Sequence, residues 1–207
     1  METVDMLAIE NELKAKGYKL ICGVDEAGRG PLAGPVCAAA VILPPDYKNS
    51  ILNDSKKLTA LKRDKLREEI EREALQWQVA QVSPGEIDRI NILNASFLAM
   101  HLAIGQLNPL PAFLLIDGNR FTPYSGIDHC CVVRGDGIYM SIAAASVLAK
   151  THRDEFMKQL HAEYPVYGWI KNMGYPTRMH REAFLKHGPS PWHRNTFKIK
   201  EQLKLEL

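Results

Sequence analysis

The residue types that could do chemistry together are concentrated in Gly23-Val24-Asp25-Glu26-Ala27-Gly28-Arg29-Gly30-Pro31-Leu32-Ala33-Gly34-Pro35-Val36. An apolar run, Leu20 to Val24, reads as a buried strand that delivers two adjacent carboxylates to its end. Such a pair is costly to desolvate unless a cation or hydrogen-bond donors compensate it. The glycines that follow let backbone approach a ligand closely, because glycine has no Cβ. The pattern recurs. Phe113 to Ile116 runs into Asp117-Gly118, and Cys130 to Val133 leads through Arg134-Gly135 to Asp136. Carboxylates gathered from three strand ends, with no His or Cys in the motif, form a hard-oxygen donor set that suits Mg2+ or Mn2+ rather than zinc. A pair of such ions can hold the attacking and leaving oxygens of an in-line phosphodiester cleavage. Any one of these Asp residues alone would more often start a turn or cap a helix; the recurrence argues for a site. Neighbouring strand residues point to opposite faces, so Asp25 and Glu26 share a site only if the chain bends there, which Gly28 allows.

The spacing Gly28-x-Gly30-x-x-x-Gly34 also invites a dinucleotide-binding reading. Two features oppose it. Pro31 and Pro35 remove backbone donors and interrupt the helix that would open there. Asp25 and Glu26 would place negative charge beside a pyrophosphate that binds helix N-termini.

The elements that must position these residues follow from periodicity and punctuation. Residues 3–16 read as a helix, and 19–25 and 36–43 as strands joined by the glycine-rich turn. Thr59 is the expected N-cap of a charged helix running to about residue 75, and 77–82 returns as a strand. Ser83-Pro84-Gly85-Glu86 has the capping-box pattern with proline at the first helical position. A helix over about 92–107 is expected to bury Leu93, Phe97, Met100 and Ile104. A long helix over about 141–164 opens with the small run Ile142-Ala143-Ala144-Ala145, which permits close approach to a sheet. A helix over 177–187 stops at Gly188-Pro189, and 198–207 reads as a further short helix. Strands first, then alternating helices, give an α/β class with a mixed β-sheet flanked by helices. The whole of residues 1–207 is expected to be one catalytic domain, with a small helical C-terminal segment from about 165 to 207.

Net charge is +2, with 46% apolar and 24% charged residues, which excludes a strongly basic non-specific coater of DNA and confines any nucleic-acid surface to a local patch. Cys22, Cys37, Cys130 and Cys131 lack C-x-x-C spacing and read as reduced thiols. The seven His residues form no ligand pattern and are expected at surfaces or helix ends. The acidic N-terminus is unlike a secretory signal, and no run is long enough to cross a membrane, so a cytoplasmic protein is expected.

The first motif, together with Asn53-Asp54-Ser55-Lys56-Lys57-Leu58, Leu115-Ile116-Asp117-Gly118-Asn119 and Gly135-Asp136 followed by Ser141-Ile142-Ala143-Ala144-Ala145-Ser146, resembles bacterial type 2 ribonuclease H, ribonuclease HII. Lys150 with Arg153-Asp154, Gly174-Tyr175, and Gly188-Pro189-Ser190-Pro191 with His193-Arg194 match in order, from about residue 20 to 197. The resemblance implies an RNase H-like fold and endonucleolytic cleavage of RNA in RNA–DNA hybrids, including single ribonucleotides embedded in duplex DNA. It implies an acidic tetrad, Asp25, Glu26, Asp117 and Asp136, holding two Mg2+ or Mn2+ ions, with cleavage 5′ of the ribonucleotide to give 3′-hydroxyl and 5′-phosphate ends. It assigns Gly28, Arg29 and Gly30 to reading the ribose 2′-hydroxyl and Tyr175 to the sugar after the junction. Lys56 and Lys57 are assigned to phosphates, although a loop dilysine is as often simply solvated. Arg153-Asp154 is expected to be a structural ion pair. Two positions depart from the family pattern by losing positive charge, Ile138 after Asp136 and Met173 before Gly174-Tyr175. The implied partners are RNA–DNA hybrid and ribonucleotide-containing duplex, acted on by a monomer; a replication-clamp or polymerase contact of the C-terminal tail is left open. The sister type 3 enzyme carries an additional N-terminal domain, for which the early catalytic strand leaves no room. A catalytically silent hybrid-binding module would require a missing carboxylate, and the tetrad is intact.

Overall fold

The computed structural model describes residues 6–49, 51–52 and 59–197. Lys56, Lys57 and the expected helix over 198–207 lie outside the described residues. Five strands, β1 (Ile21–Ala27), β2 (Val36–Ile42), β3 (Gln76–Val82), β4 (Phe113–Asp117) and β5 (Asp128–Val132), form one mixed sheet in the order β3-β2-β1-β4-β5. β1 pairs antiparallel with β2 and parallel with β4, and β4 pairs parallel with β5. The carboxyl ends of β1, β4 and β5 therefore open on one edge. That edge is where ligands bind in open α/β sheets.

Seven helices surround the sheet among the described residues: α1 (Ala8–Ala15), α2 (Ala60–Glu73), α3 (Pro84–Ile90), α4 (Ile92–Gly105), α5 (Met140–Glu163), α6 (Trp169–Asn172) and α7 (Arg178–His187). Thr59 and Ser83 cap α2 and α3 as expected, accepting from the Lys62 and Glu86 amides. α4 covers one face, over Cys22, Val24, Ala38 and Ala40, while α5 and α2 cover the other, over Ala39 and Val41. On α4 the buried stripe differs from the expected one. Ala95, Ala99 and Ala103 are fully buried beside Met100 and Ile104, whereas Phe97 is half-buried and Leu93 lies outside the core cluster. Small side chains bring the helix down onto the strands and push the larger ones to its flanks.

The small opening of α5 works as its composition suggests. Ile142 to Ala145 are fully buried, and a Cβ on Gly23 would collide with the Ser141 carbonyl carbon. This close approach seats the first turns of α5 directly behind the carboxylate-bearing end of β1. The C-terminal segment is tied to the glycine-rich turn by main-chain bonds: Leu32 N–H donates to Gly174 O (2.8 Å), Gly34 N–H to Trp192 O (2.9 Å) and Arg194 N–H to Leu32 O (2.9 Å).

Candidate active site

Asp25 and Asp117 end up side by side because Val24 and Ile116 are register partners in the parallel β1–β4 pair. β1 does not stop at Asp25; it continues to Ala27, with Asp25 opposite Ala39 and Glu26 opposite Ala38. The bend comes at Gly28, whose φ is +95°. Asp25 is buried, accepts the Glu26 amide (2.7 Å) and is hydrogen-bonded by Ser146 on α5. Glu26 is turned toward Arg29 (3.1 Å), and Asp117 accepts the Gly135 amide (2.7 Å). Asp136 does not sit at a strand end. It lies four residues past Val132, buried in a single 3-10 turn, Gly135–Gly137, entered through Arg134 in left-handed conformation. The turn is needed because the chain must reverse from β5 into α5 within a few residues, and it places Asp136 next to the Gly135 amide that holds Asp117.

The electrostatics are those of a crowded acidic rim. Burial, then Glu26, then Asp117 push the Asp25 carboxyl well above the usual carboxylate range. Burial also raises Glu26, against the pull of Arg29. Asp25, Glu26 and Asp117 each accept from a local donor, and among the described residues no three acidic, His or Cys side chains stand ready-made as a metal cage. The donor chemistry nevertheless fits a divalent cation. The donors are oxygens only, desolvated and mutually repelling, on one sheet edge.

A cleft of about 380 Å3 adjoins this rim, lined by Glu26, Gly28, Arg63, Ser146, Lys150 and Tyr175 among others. Tyr175 is 41% exposed, with its ring 3.7 Å from where a Gly30 Cβ would lie. It is presented by two successive left-handed residues, Met173 (φ +48°) and Gly174 (φ +82°). Met173 is half-buried against the Trp169 cluster, so apolar contact occupies the position where the family pattern has a basic residue. Ile138, by contrast, is 37% exposed.

Two expectations fail behind the cleft. Arg153 and Asp154 are not an ion pair: Asp154 binds Lys150 (2.7 Å), while Arg153, 1% exposed, donates to the carbonyls of Pro35 (3.0 Å), Met173 (3.1 Å) and Ala33 (3.2 Å). On a helix, residues three or four apart share a face, which selects Lys150 over the adjacent Arg153. His180 and His193 are not surface groups. Both are buried and bonded to each other (3.1 Å), with Trp169 Nε1 donating to His180 Nε2 (3.0 Å) and the Ser190 amide to His193 Nδ1 (2.9 Å). Burial pushes His193 down to about 4, with His180 adding to the effect. The bonded partners fix both rings neutral, His193 donating through Nε2 and His180 through Nδ1 to the Tyr175 carbonyl (2.9 Å). Sequence reasoning gives Ser146 and Arg194 no role and gives Arg153, His180 and His193 the wrong one. His193-Arg194 after Gly188-Pro189 is the only signal for those two residues.

Residues 22–200 match the family description Ribonuclease HII. A ribonuclease HII of Parabacteroides distasonis is 63% identical over 188 residues, covering 90% of this chain and 94% of that protein. The solved ribonuclease H2 of Pyrococcus horikoshii superposes with a TM-score of 0.72 at 25% identity, covering 87% of this chain and 94% of that one. A ribonuclease HIII, Bst-RNase HIII, solved in complex with Mn2+, shares the fold with a TM-score of 0.69 at 18% identity over 87% of this chain and 68% of its own. With the carboxylate-bearing sheet edge and the match over most of its length, the chain belongs to the ribonuclease HII family, divalent-metal-dependent ribonucleases H that cleave the RNA of RNA–DNA hybrids.

Proposed function

We propose that this ribonuclease H incises duplex DNA 5′ of single embedded ribonucleotides as well as cutting longer hybrids, leaving 3′-hydroxyl and 5′-phosphate ends. The observation that carries the reading is the junction of two features at one bend: Asp25 and Glu26 lie just before the last residue of β1, Ala27, and the Gly28-Arg29-Gly30 turn follows directly beside Tyr175. Reactive phosphate and ribose sugar are adjacent groups of one nucleotide, and a site that cuts beside a ribonucleotide needs both recognised together. Asp25, Glu26, Asp117 and Asp136 would hold two Mg2+ or Mn2+ ions, and the chemistry those ions supply is activation of the attacking water and stabilisation of the leaving 3′-oxygen. The protein's own residues hold the rest. Ser146 and the Glu26 amide orient Asp25, the Gly135 amide orients Asp117, and Tyr175 offers a ring face to the sugar after the junction. Lys56 and Lys57 are assigned to phosphates.

The reading takes residues 1–207 as one catalytic unit, a cytoplasmic monomer acting in ribonucleotide excision repair. The main-chain bonds between the 32–34 turn and the C-terminal segment support the single unit, and four free cysteines suit a reducing compartment. The test is cleavage of a duplex bearing one ribonucleotide, beside a long RNA–DNA hybrid, with Mg2+ or Mn2+. Incision of both, with the lone ribonucleotide at the new 5′-phosphate end, is expected. No incision at the lone ribonucleotide, or 3′-phosphate products, overturns the reading.

A further inference from the structure

Arg194 is 2% exposed and spends every guanidinium nitrogen on the glycine-rich turn. Nε donates to Gly34 O (3.0 Å), Nη1 to Arg29 O (3.0 Å), and Nη2 to both Gly28 O (2.6 Å) and Gly34 O (2.9 Å). Its neighbour Arg153 takes the next carbonyls along, Ala33 and Pro35. A peptide unit is planar and trans, so its C=O and the following N–H point in opposite directions. Drawing the Gly28 and Arg29 carbonyls inward onto Arg194 therefore aims the amides of Arg29 and Gly30 outward. Both of those residues are exposed, and among the described residues neither amide donates to another backbone carbonyl.

We infer that Arg194 is a positioning residue for ribose recognition: by pinning two carbonyls from behind, it presents the Arg29 and Gly30 amides as donors toward the 2′-hydroxyl. The inference rests on the assignment of residues 28–30 to that hydroxyl. A guanidinium is suited to the task because its planar fork fixes several acceptors at once, which a lysine ammonium on a flexible stem does not. Its placement is secured in turn by Asp88, which accepts the Asn195 amide (2.8 Å), the Thr196 amide (3.0 Å) and the Thr196 hydroxyl (2.6 Å) just beyond it.

The test compares affinity for a duplex containing one ribonucleotide with affinity for the identical all-DNA duplex, in wild type, Arg194→Lys, Asp88→Ala and Gly30→Ala, alongside thermal unfolding. Arg194→Lys is expected to lower the ribonucleotide-to-DNA affinity ratio at least tenfold while all-DNA affinity stays within twofold. Asp88→Ala should lower the ratio twofold to fivefold, and it decides the matter should Arg194→Lys not fold. A folded Arg194→Lys, or in its absence Asp88→Ala, with an unchanged ratio overturns the positioning role if Gly30→Ala lowers the ratio. If Gly30→Ala also leaves the ratio unchanged, the assignment of the turn to the 2′-hydroxyl fails, and the inference fails with it. Parallel loss of both affinities would mark Arg194 as merely structural and overturn the inference.

Discussion

Two clusters of like charge, one partly and one fully buried, flank the 28–30 turn, and they are stabilised in different ways. On the rim, Asp25, Glu26 and Asp117 crowd together, and burial and mutual repulsion raise the carboxyls of the first two. Behind the turn, Arg153 and Arg194 are more deeply buried and also repel; burial, then Arg153, brings Arg194 down to about 9. The arginines, however, are saturated by main-chain carbonyls, whereas the carboxylates are held by a mixed set of amide, hydroxyl and guanidinium donors. One cluster is enclosed by carbonyl dipoles; the other lies against an open cleft. Buried like charge enclosed by dipoles reads as scaffold, whereas like charge with raised carboxyls beside a cleft reads as a candidate reactive site.

Neutralising the rim is the sharpest way to test that contrast. Asp25→Asn or Asp117→Asn should reduce turnover with Mg2+ by roughly a thousandfold or more, while melting temperature without metal holds or rises as repulsion is relieved. Near-wild-type cleavage by either variant would sink the assignment. The same kind of change in the other cluster should act on the fold. Arg153→Ala strands three carbonyls and should lower unfolding free energy by about 2–4 kcal/mol, read by urea denaturation; an unchanged midpoint would show that water replaces the guanidinium without loss.

What sequence revealed and what it hid divides along the same line. Asp25 and Asp117 are legible because a local pattern, an apolar strand running into Asp next to glycine, carries them. Asp136 is legible in type but not in place, since a 3-10 turn after β5 leaves no periodic signature. Arg153, Arg194, His180 and His193 are opaque. Their roles depend on acceptors far away in the chain, and a charged or imidazole side chain read locally belongs at the surface.

The His pair offers a smaller test of the buried scaffold. His193, depressed to about 4, contributes stability that is present above the unfolded value near 6.5 and is lost as pH falls between the two. The raised Asp25 and Glu26 have the opposite sign, losing stability as pH rises through their folded values. The stability gap between wild type and His193→Gln should therefore narrow by on the order of 2 kcal/mol as pH falls from 6.5 toward 4. A gap independent of pH would mean His193 is not held neutral. Smallest is the effect of restoring charge at the exposed Ile138. Ile138→Lys should steepen the log–log salt dependence of duplex binding by about 0.9 with little change in cleavage of bound substrate, and an unchanged slope would place the side chain away from phosphates.

The bond from Arg194 to the Gly28 carbonyl spans 166 positions of the chain, which gives the molecule an order of assembly. Closure entropy grows only slowly with that span, so distance alone is a modest obstacle. The direction of synthesis matters more. Strands that carry Asp25 and Asp117 emerge and can pair long before residue 194 has been made. The acidic edge is thus drafted early by the growing polypeptide, and the brace behind the glycine-rich turn is among the last features it acquires.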